Sequence, residues 1–209
     1  MNRLVFDIDK SELPFVAYVP DDTTKKLPVI VQLHGAGERG CGGDDLDAVE
    51  IYGFTKLFSE EEQECILILP QCPPDSFWVA EIQKLHTFIS NLKNNFNIDE
   101  DRIYLTGLSM GGFGTWYTAM AYPDTFAAIA PVCGGGMMWN AGVLNMPIWA
   151  FHGSEDNTVL PSETLNMVRA LRSCGKTDVK LTIFDGVGHD SWVKAYNKEL
   201  LDWLLSKRK

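Results

Sequence analysis

The sequence predicts an α/β protein whose mostly parallel central sheet is flanked by helices. Short apolar segments alternate with segments of helical periodicity along most of the chain, which is typical of a sheet covered on both faces. Several of these segments, such as ILIL at 66–69, are apolar at every position, as expected of strands buried on both sides. Polar or glycine-rich residues follow many of them, and parallel sheets bind ligands at the carboxyl ends of their strands.

Apolar runs predict the strands, and apolar spacing predicts the helices. Strands are expected at 13–19, 28–33, 66–69, 103–106, 127–132, 148–151 and 179–184. The strand at 13–19 is expected to be antiparallel and near an edge of the sheet. Helices are expected at 46–58, at 82–92, from just after 106 to about 121, at 162–173, and from 192 to 204. The helix at 162–173 has Pro161 near its start and Gly175 just past its end, where each residue type is favoured.

The composition indicates a globular protein and disfavours several classes of partner. The 209 residues fit one domain, 1–209, with 45% hydrophobic and 22% charged residues. The net charge of −10 argues against nucleic acid and against an anionic membrane as partner. No stretch reaches the length of a membrane span, and the opening MNRLVFDIDK lacks the apolar core of a secretory signal. We therefore expect a cytoplasmic protein, or a secreted one if the natural chain begins before Met1.

The cysteines give no sign of a metal site or a redox pair. There are five of them, an odd number, without repeated spacing and without a C-x-x-C pair. We expect neither a metal nor a cofactor, and the sequence leaves the oligomeric state open.

A Gly-X-Ser-X-Gly motif follows the predicted strand at 103–106. In the stretch TGLSMGG, Ser109 lies between Gly107 and Gly111 and precedes a helix-like segment. A strand–turn–helix motif of this kind holds its serine in a strained conformation with the hydroxyl exposed, as a nucleophile requires. The alternative is a glycine-rich turn whose serine only caps the helix. Because a serine hydroxyl is a weak nucleophile by itself, the catalytic interpretation also needs a base.

The base is predicted to be His189. It lies in the glycine-rich loop DGVGHD after the strand at 179–184, where its ring can reach over the serine. The chain has only four histidines. His34 and His152 end strands in His-Gly pairs, and His86 lies on an amphipathic helix, so these three are expected to be structural.

The acid that orients the base is expected in the loop after the sixth predicted strand. Glu155 and Asp156 both qualify there, whereas Asp185 and Asp190 share the loop of His189 and would have to fold back on it. We favour Asp156, because the chain order Ser, Asp, His is the one expected of this architecture.

The glycine-rich segment HGAGERG, which follows the strand at 28–33, can supply backbone N–H groups to an oxyanion. A tetrahedral intermediate needs two such donors. We predict Ala36 and Met110 as the donors, with Gly37 as the alternative to Ala36. A phosphate-binding loop is disfavoured, because the spacing fits neither G-x-G-x-x-G nor a loop followed by Lys-Ser/Thr.

With these motifs in place, the chain resembles the α/β-hydrolase superfamily. More narrowly, it resembles the small lid-less serine esterases of the phospholipase/carboxylesterase group, relatives of feruloyl esterases and polyhydroxybutyrate depolymerases. The matching stretches are LHGAGERG, LPQCPP, DRIYLTGLSMGGFGTW, FAAIAPVCGGG, FHGSEDNTV and GVGHDSW. The resemblance implies the α/β-hydrolase fold and a triad of Ser109, Asp156 and His189, but it does not identify the substrate. Only residues 133–147 separate two of the strands, which is too short for a cap domain, so we expect an open site.

Aromatic and polar residues near these loops are candidates for substrate binding. The predicted contacts are Gly37, Gln71, Trp78, Trp139 and Trp192. Arg39 is expected to pair with an acid such as Glu38 or Asp44 and so brace the segment HGAGERG at 34–40, called the oxyanion loop from here on. Binding of a substrate carboxylate by Arg39 is the second alternative.

The leading functional hypothesis is hydrolysis of small carboxylic esters with short acyl or aryl groups. The enzymatic alternatives are a serine peptidase of the prolyl-oligopeptidase type and a thioesterase. The non-enzymatic alternative is a silent binding module on a hydrolase fold, which intact triad residues disfavour.

Overall fold

A mostly parallel sheet runs through the centre of the molecule. The computed structural model describes residues 1–7 and 13–209. Within them the strands are β1 (Asn2–Phe6), β2 (Phe15–Val19), β3 (Leu27–Leu33), β4 (Ile66–Pro70), β5 (Ile98–Leu108), β6 (Ala128–Val132), β7 (Ile148–Gly153) and β8 (Val179–Phe184). Their order across the sheet is β1-β2-β4-β3-β5-β6-β7-β8. β1 pairs antiparallel with β2 and β2 antiparallel with β4, and all other pairs are parallel. The mostly parallel sheet and the antiparallel strand near its edge, β2, confirm the prediction.

Helices cover both faces of the sheet. They are α1 (Thr55–Glu60), α2 (Ile82–Asn91), α3 (Met110–Ala121), α4 (Ser162–Ser173), α5 (Trp192–Ala195) and α6 (Lys198–Leu205). One apolar core lies under α2, α3 and α4, and a second lies under α1 and α6. β3 shows why the strands are apolar at every position: Val29 and Val31 belong to the first core, whereas Ile30 between them belongs to the second.

The helix expected at 46–58 is wrong as a single element. A 3-10 helix (Gly43–Glu50) and α1 occupy this region, and they are separated at Gly53, which has a φ of 90°. The side chain of Gln32 fills the space beside this glycine. Its amide donates to the carbonyl of Tyr52 at 2.9 Å and accepts from the N–H of Phe54 at 2.7 Å, so the chain is held in a turn there.

Two further elements differ from the sequence prediction. β1 was not expected, because most of its side chains are exposed and give no buried apolar pattern, and it pairs with β2 on the outer side of the sheet. The C-terminal helix is two helices, because the chain is extended at Asn197. The side-chain oxygen of Asn197 accepts from the N–H of Leu200 at 3.0 Å and caps α6.

The connection between β6 and β7 holds one short 3-10 helix (Met138–Val143) and no separate cap domain. Among residues 1–7 and 13–209, no cap therefore lies above the carboxyl ends of the parallel strands. In the part of the chain that the structure describes, no helix combines the length and the apolar character needed to cross a bilayer.

Candidate active site

Ser109 forms the tight turn between β5 and α3. Strand β5 runs directly into it, and α3 begins at the next residue. Its φ of 54° and ψ of −116° lie in a sparsely populated region that costs a non-glycine residue about 1–3 kcal/mol. A Cβ on Gly107 would lie 2.4 Å from the carbonyl oxygen of Gly111, and a Cβ on Gly111 would lie 2.2 Å from that of Leu33. Only glycines fit on both sides of this serine.

The structure brings Ser109, His189 and Asp156 together. The Ser109 hydroxyl lies 2.8 Å from Nε2 of His189. On the other side of the ring, Nδ1 lies 2.7 Å from Oδ2 of Asp156. Because a carboxylate only accepts hydrogen bonds, Nδ1 carries the proton of the neutral ring, and Nε2 is free to accept from the hydroxyl.

Asp156 is a fully buried carboxylate that is well supplied with donors. Its Oδ1 accepts from the N–H groups of Thr158 and Val159, both at 2.9 Å. Nε2 of His152 lies 3.2 Å from Oδ2, the oxygen that also accepts from His189. Burial alone would raise the pKa of Asp156, but the hydrogen bond from His189 and those from Val159 and Thr158 outweigh it, so the pKa lies below its ordinary value.

The three competing acids, Glu155, Asp185 and Asp190, are exposed, whereas Asp156 is buried beside His189. Backbone hydrogen bonds hold the two loops against each other, including one from the N–H of Glu155 to the carbonyl of Val187 at 2.9 Å. This contact fixes the acid loop against the base loop.

The predicted oxyanion donors lie beside the serine. Ala36 begins a 3-10 turn (Ala36–Glu38), and Met110 begins α3. First residues of helices have N–H groups without an intrahelical acceptor, so both groups are available to a ligand. Ala36, Ser109 and Met110 line the same cavity, which has a volume of about 530 Å³.

Arg39 does not pair with an acid among the described residues, which corrects the expectation of a partner in Glu38 or Asp44. Its Nε donates to the carbonyl of Ala36 at 2.9 Å, and its Nη1 donates to the carbonyl of Ser76 at 3.2 Å. Arg39 therefore braces the oxyanion loop through backbone oxygens.

Glu38 is a buried carboxyl group without an ion pair in the described part of the chain. Its Oε2 has no hydrogen-bond partner there. Burial raises the pKa of Glu38, and the nearby N–H groups of Gly35 and of Glu38 itself offset only part of this effect. The side chain fills space within the oxyanion loop.

Apolar and aromatic side chains form most of the cavity wall. Besides the three residues already named, the lining consists of Phe77, Val79, Phe113, Tyr117 and Val159. These five wall residues were not predicted from the sequence. A signal was present on α3, since Phe113 and Tyr117 follow Ser109 at spacings of four and eight and so lie on one face of that helix.

The predicted substrate contacts have different locations. Gln71 and Trp78 are fully buried, so their expected place in the wall is wrong. Gln71 braces the oxyanion loop by donating to the carbonyls of Glu38 and Asp45, and Trp78 donates to the carbonyl of His34. In both residues the polar end of a large buried side chain donates hydrogen bonds to backbone carbonyls.

The other three predicted contacts lie outside the cavity lining. Gly37 is exposed, with open space where a Cβ would be. Trp139 is 81% exposed on the connection before β7. Trp192 packs edge-on against the ring of His189, with the ring centres 5.2 Å apart, and so supports the base.

The remaining histidines have structural partners. His34 and His152 are buried, and both nitrogens of each ring contact protein groups. His86 stacks on Tyr122 with the ring centres 3.6 Å apart.

Cys133 lies close to the acid and the base. Its sulfur, a carboxylate oxygen of Asp156 and a ring nitrogen of His189 all lie within 4.8 Å of one another, a grouping that can in principle hold a metal ion. Burial raises the pKa of the Cys133 thiol to about 12, so the thiol stays protonated near neutral pH. Asp156 and His189 already form a hydrogen bond with each other, which favours a proton-transfer site over a metal site.

Comparison with known proteins agrees with this geometry. Residues 76–200, more than half of the chain, match the family described as Phospholipase/Carboxylesterase. The chain belongs to this family. Its fold is that of the α/β-hydrolases, and a solved structure with 31% identity, the crystal structure of a thermostable esterase, superposes with a TM-score of 0.82 over 99% of this chain and 63% of the other.

Several curated relatives of this phospholipase/carboxylesterase family member are named as esterases, and one is named as a depolymerase. Poly(3-hydroxyalkanoate) depolymerase C of Paucimonas lemoignei is 29% identical over 143 residues, which are 62% of this chain and 33% of the relative. Feruloyl esterase B of Neurospora crassa is 33% identical over 131 residues, 56% of this chain and 42% of the relative. The chain thus spans less than half the length of these two relatives.

Proposed function

We propose that this chain is a serine carboxylesterase that hydrolyses small carboxylic esters through Ser109, His189 and Asp156. The observation that carries the proposal is the continuous hydrogen-bonded series from the Ser109 hydroxyl to the buried carboxylate, with distances of 2.8 and 2.7 Å. The strained backbone at Ser109 adds support, because strain of this kind concentrates at functional sites. Residues 1–209 act in this proposal as one catalytic domain.

Acylation follows from the positions of these groups. The Ser109 oxygen attacks the ester carbonyl carbon while its proton passes to Nε2 of His189. The N–H groups of Ala36 and Met110 donate to the negative oxygen of the tetrahedral intermediate. The intermediate then collapses, the bond to the alcohol oxygen breaks, and His189 returns its proton to that oxygen.

Deacylation repeats these steps with water. Nε2 of His189 takes a proton from a water molecule as the water oxygen attacks the acyl carbon. When the bond to Ser109 breaks, His189 returns this proton to the serine oxygen and the acid leaves. Asp156 keeps the proton on Nδ1 and stabilises the positive ring that forms in each half-reaction. Its lowered pKa maintains the carboxylate in its charged form at neutral pH.

The cavity supports esters with short acyl or aryl groups as substrates. Phe77, Phe113 and Tyr117 line it, and flat rings pack well against such a wall. The relatives named as feruloyl esterases act, by their names, on an aromatic acyl ester. Because no cap lies above the site, we expect no jump in rate when a substrate exceeds its solubility limit.

A panel of esters that varies acyl length and alcohol, including a feruloyl ester, tests this function. The wild-type chain is expected to release acid from short acyl or aryl esters, and S109A, which only removes the hydroxyl, is expected to be inactive. Cleavage of peptide amides without cleavage of esters would overturn the proposal in favour of a peptidase. Equal rates in wild type and folded S109A would overturn the assignment of the nucleophile.

A further inference from the structure

Arg39 connects two parts of the site that are distant in sequence. Its Nε holds the carbonyl of Ala36 at 2.9 Å, and its Nη1 holds the carbonyl of Ser76 at 3.2 Å. The guanidinium carbon lies 5.1 Å from the centre of the Phe77 ring. Ala36 and Phe77 both line the cavity beside Ser109. One side chain therefore contacts the oxyanion loop and the apolar wall.

The contacts of Arg39 differ from those of arginines that only pair with acids. Arg3, Arg102 and Arg208 each form an ion pair with at least one carboxylate. No ion pair of Arg39 occurs among the described residues, and its donors are directed at backbone oxygens. A planar guanidinium can hold two carbonyls at fixed angles, which the single ammonium group of a lysine cannot do.

The bond to Ala36 restrains the exposed tip of the oxyanion loop, which consists of Ala36 and Gly37. The carbonyl of Ala36 belongs to the peptide plane that joins Ala36 to Gly37, and Gly37 has open space on its side-chain face. The Ala36 N–H lies in the preceding peptide plane, and the two planes meet at the Ala36 Cα, so a bond that fixes the carbonyl also limits the rotation of the N–H. A misplacement of about 1 Å in a catalytic group can lower the rate by roughly 100-fold.

Arg39 also restrains the ring of Phe77. It is 52% exposed, although it forms part of the cavity wall. The guanidinium above the ring and the bond to the preceding carbonyl of Ser76 both hold it from outside the cavity.

We infer that Arg39 is a positioning residue that couples the oxyanion donor Ala36 to the aromatic wall at Phe77. It thereby sets both the turnover of every ester and the preference for esters that carry a ring. The inference rests on the proposed function and assigns to Arg39 a role in substrate preference that bracing of the loop alone does not include.

The test compares R39M, R39K, R39A and F77A with wild type on three esters, with acid release followed by titration at constant pH. Ethyl acetate has no ring, phenyl acetate has a ring in the alcohol, and ethyl cinnamate has a ring in the acyl group. R169M is the matched control, because Arg169 is exposed on α4 and does not line the cavity. Thermal unfolding gives the folded fraction of each variant.

R39M is expected to lower kcat on all three esters by roughly 10- to 100-fold. It should also raise KM for the ring-bearing ester, phenyl acetate or ethyl cinnamate, whose ring packs against the cavity wall. R39K should fall between R39M and wild type, and R169M should match wild type. F77A is expected to affect mainly KM for that ring-bearing ester. Addition of millimolar guanidinium should restore part of kcat in R39A, a result that a merely structural role would not give.

The inference is overturned if R39M keeps the wild-type kcat on ethyl acetate and the wild-type KM on both ring-bearing esters. It is also overturned if the rate loss in R39M equals its loss of folded protein. Failure of the proposed function has a different signature, since wild type would then hydrolyse none of the three esters or S109A would hydrolyse them equally well.

Discussion

His34 and His189 lie at the same edge of the sheet but in opposite chemical situations. Nδ1 of His34 donates to the carbonyl of Gly35 at 2.6 Å, and Nε2 accepts from the N–H of Cys72 at 2.9 Å. Both of its nitrogens are bonded to backbone, and burial lowers its pKa to about 4. His189 is bonded instead to Asp156 and to Ser109, and its side chain is 21% exposed.

The hydrogen-bond partners of the two rings therefore determine which imidazole is structural and which can transfer a proton. A ring whose two nitrogens are bonded to backbone can neither accept nor release a proton without loss of a structural contact. A ring between a carboxylate and a hydroxyl can accept the hydroxyl proton and is stabilised when it does so. If this is correct, loss of His189 should abolish activity, whereas loss of His34 should mainly lower the stability of the fold.

The largest effect is expected for H189A. Loss of the base should lower kcat on p-nitrophenyl acetate on the order of 10⁶-fold, because the Ser109 hydroxyl then has no proton acceptor. Initial rates at pH 7 measure the loss, and circular dichroism shows whether the variant is folded. A folded H189A with wild-type activity would remove His189 from the mechanism.

The second largest effect is expected for D156N. An amide in place of the carboxylate can donate to Nδ1 and so favours the wrong tautomer of His189, which should lower kcat on the order of 10⁴-fold. The control is E155Q, which changes the exposed neighbour of Asp156 and should keep the wild-type rate. A larger loss in E155Q than in D156N would mean that the acid has been misassigned.

Stability should depend on pH through His34. Its pKa is about 4 in the folded chain and 6.5 in the unfolded reference, so the unfolded state takes up the proton first as the pH falls. The free energy of unfolding should therefore be highest above pH 6.5, where His34 is neutral in both states. It should fall by roughly 3 kcal/mol between pH 6.5 and pH 4.

Urea unfolding of wild type and H34A across this window measures the effect. Wild type should lose stability more steeply than H34A as the pH falls from 6.5 to 4. Parallel pH profiles for the two chains would show that His34 is not held neutral by the fold.

The smallest effect on rate is expected for H34A at pH 7. The variant leaves the N–H of Cys72 without its acceptor and should lose about 1–3 kcal/mol of stability. Its kcat per folded molecule should fall by about tenfold or less, far less than in H189A. A rate loss in H34A as large as that in H189A would erase the distinction between the two rings.

The positions of Ser109, Asp156 and His189 were predictable because each follows a parallel strand. The carboxyl ends of such strands meet at one edge, so residues far apart in sequence are brought together by the topology alone. The fold class was predictable for a second reason: a strand that is buried on both faces is apolar at every position, which is visible in the sequence.

The cavity wall and its supports were not predictable in the same way. Arg39 binds backbone carbonyls, and a carbonyl has no signature in the sequence, so an acid was expected as its partner. Gln71 and Trp78 satisfy buried backbone groups, a role that side-chain type alone does not reveal. β1 was missed because its stability comes from pairing with β2, and its exposed side chains show no buried face.

Covalent labelling of the serine shows whether Ser109 is a nucleophile activated by His189. The chain is incubated with diisopropyl fluorophosphate at pH 7, and intact mass and peptide mapping locate the adduct in wild type and in H189A. We expect a single phosphoryl adduct on Ser109 in wild type and almost none in H189A, because only a hydroxyl bonded to His189 is activated. An unlabelled wild type, or an adduct on another residue, would contradict the account.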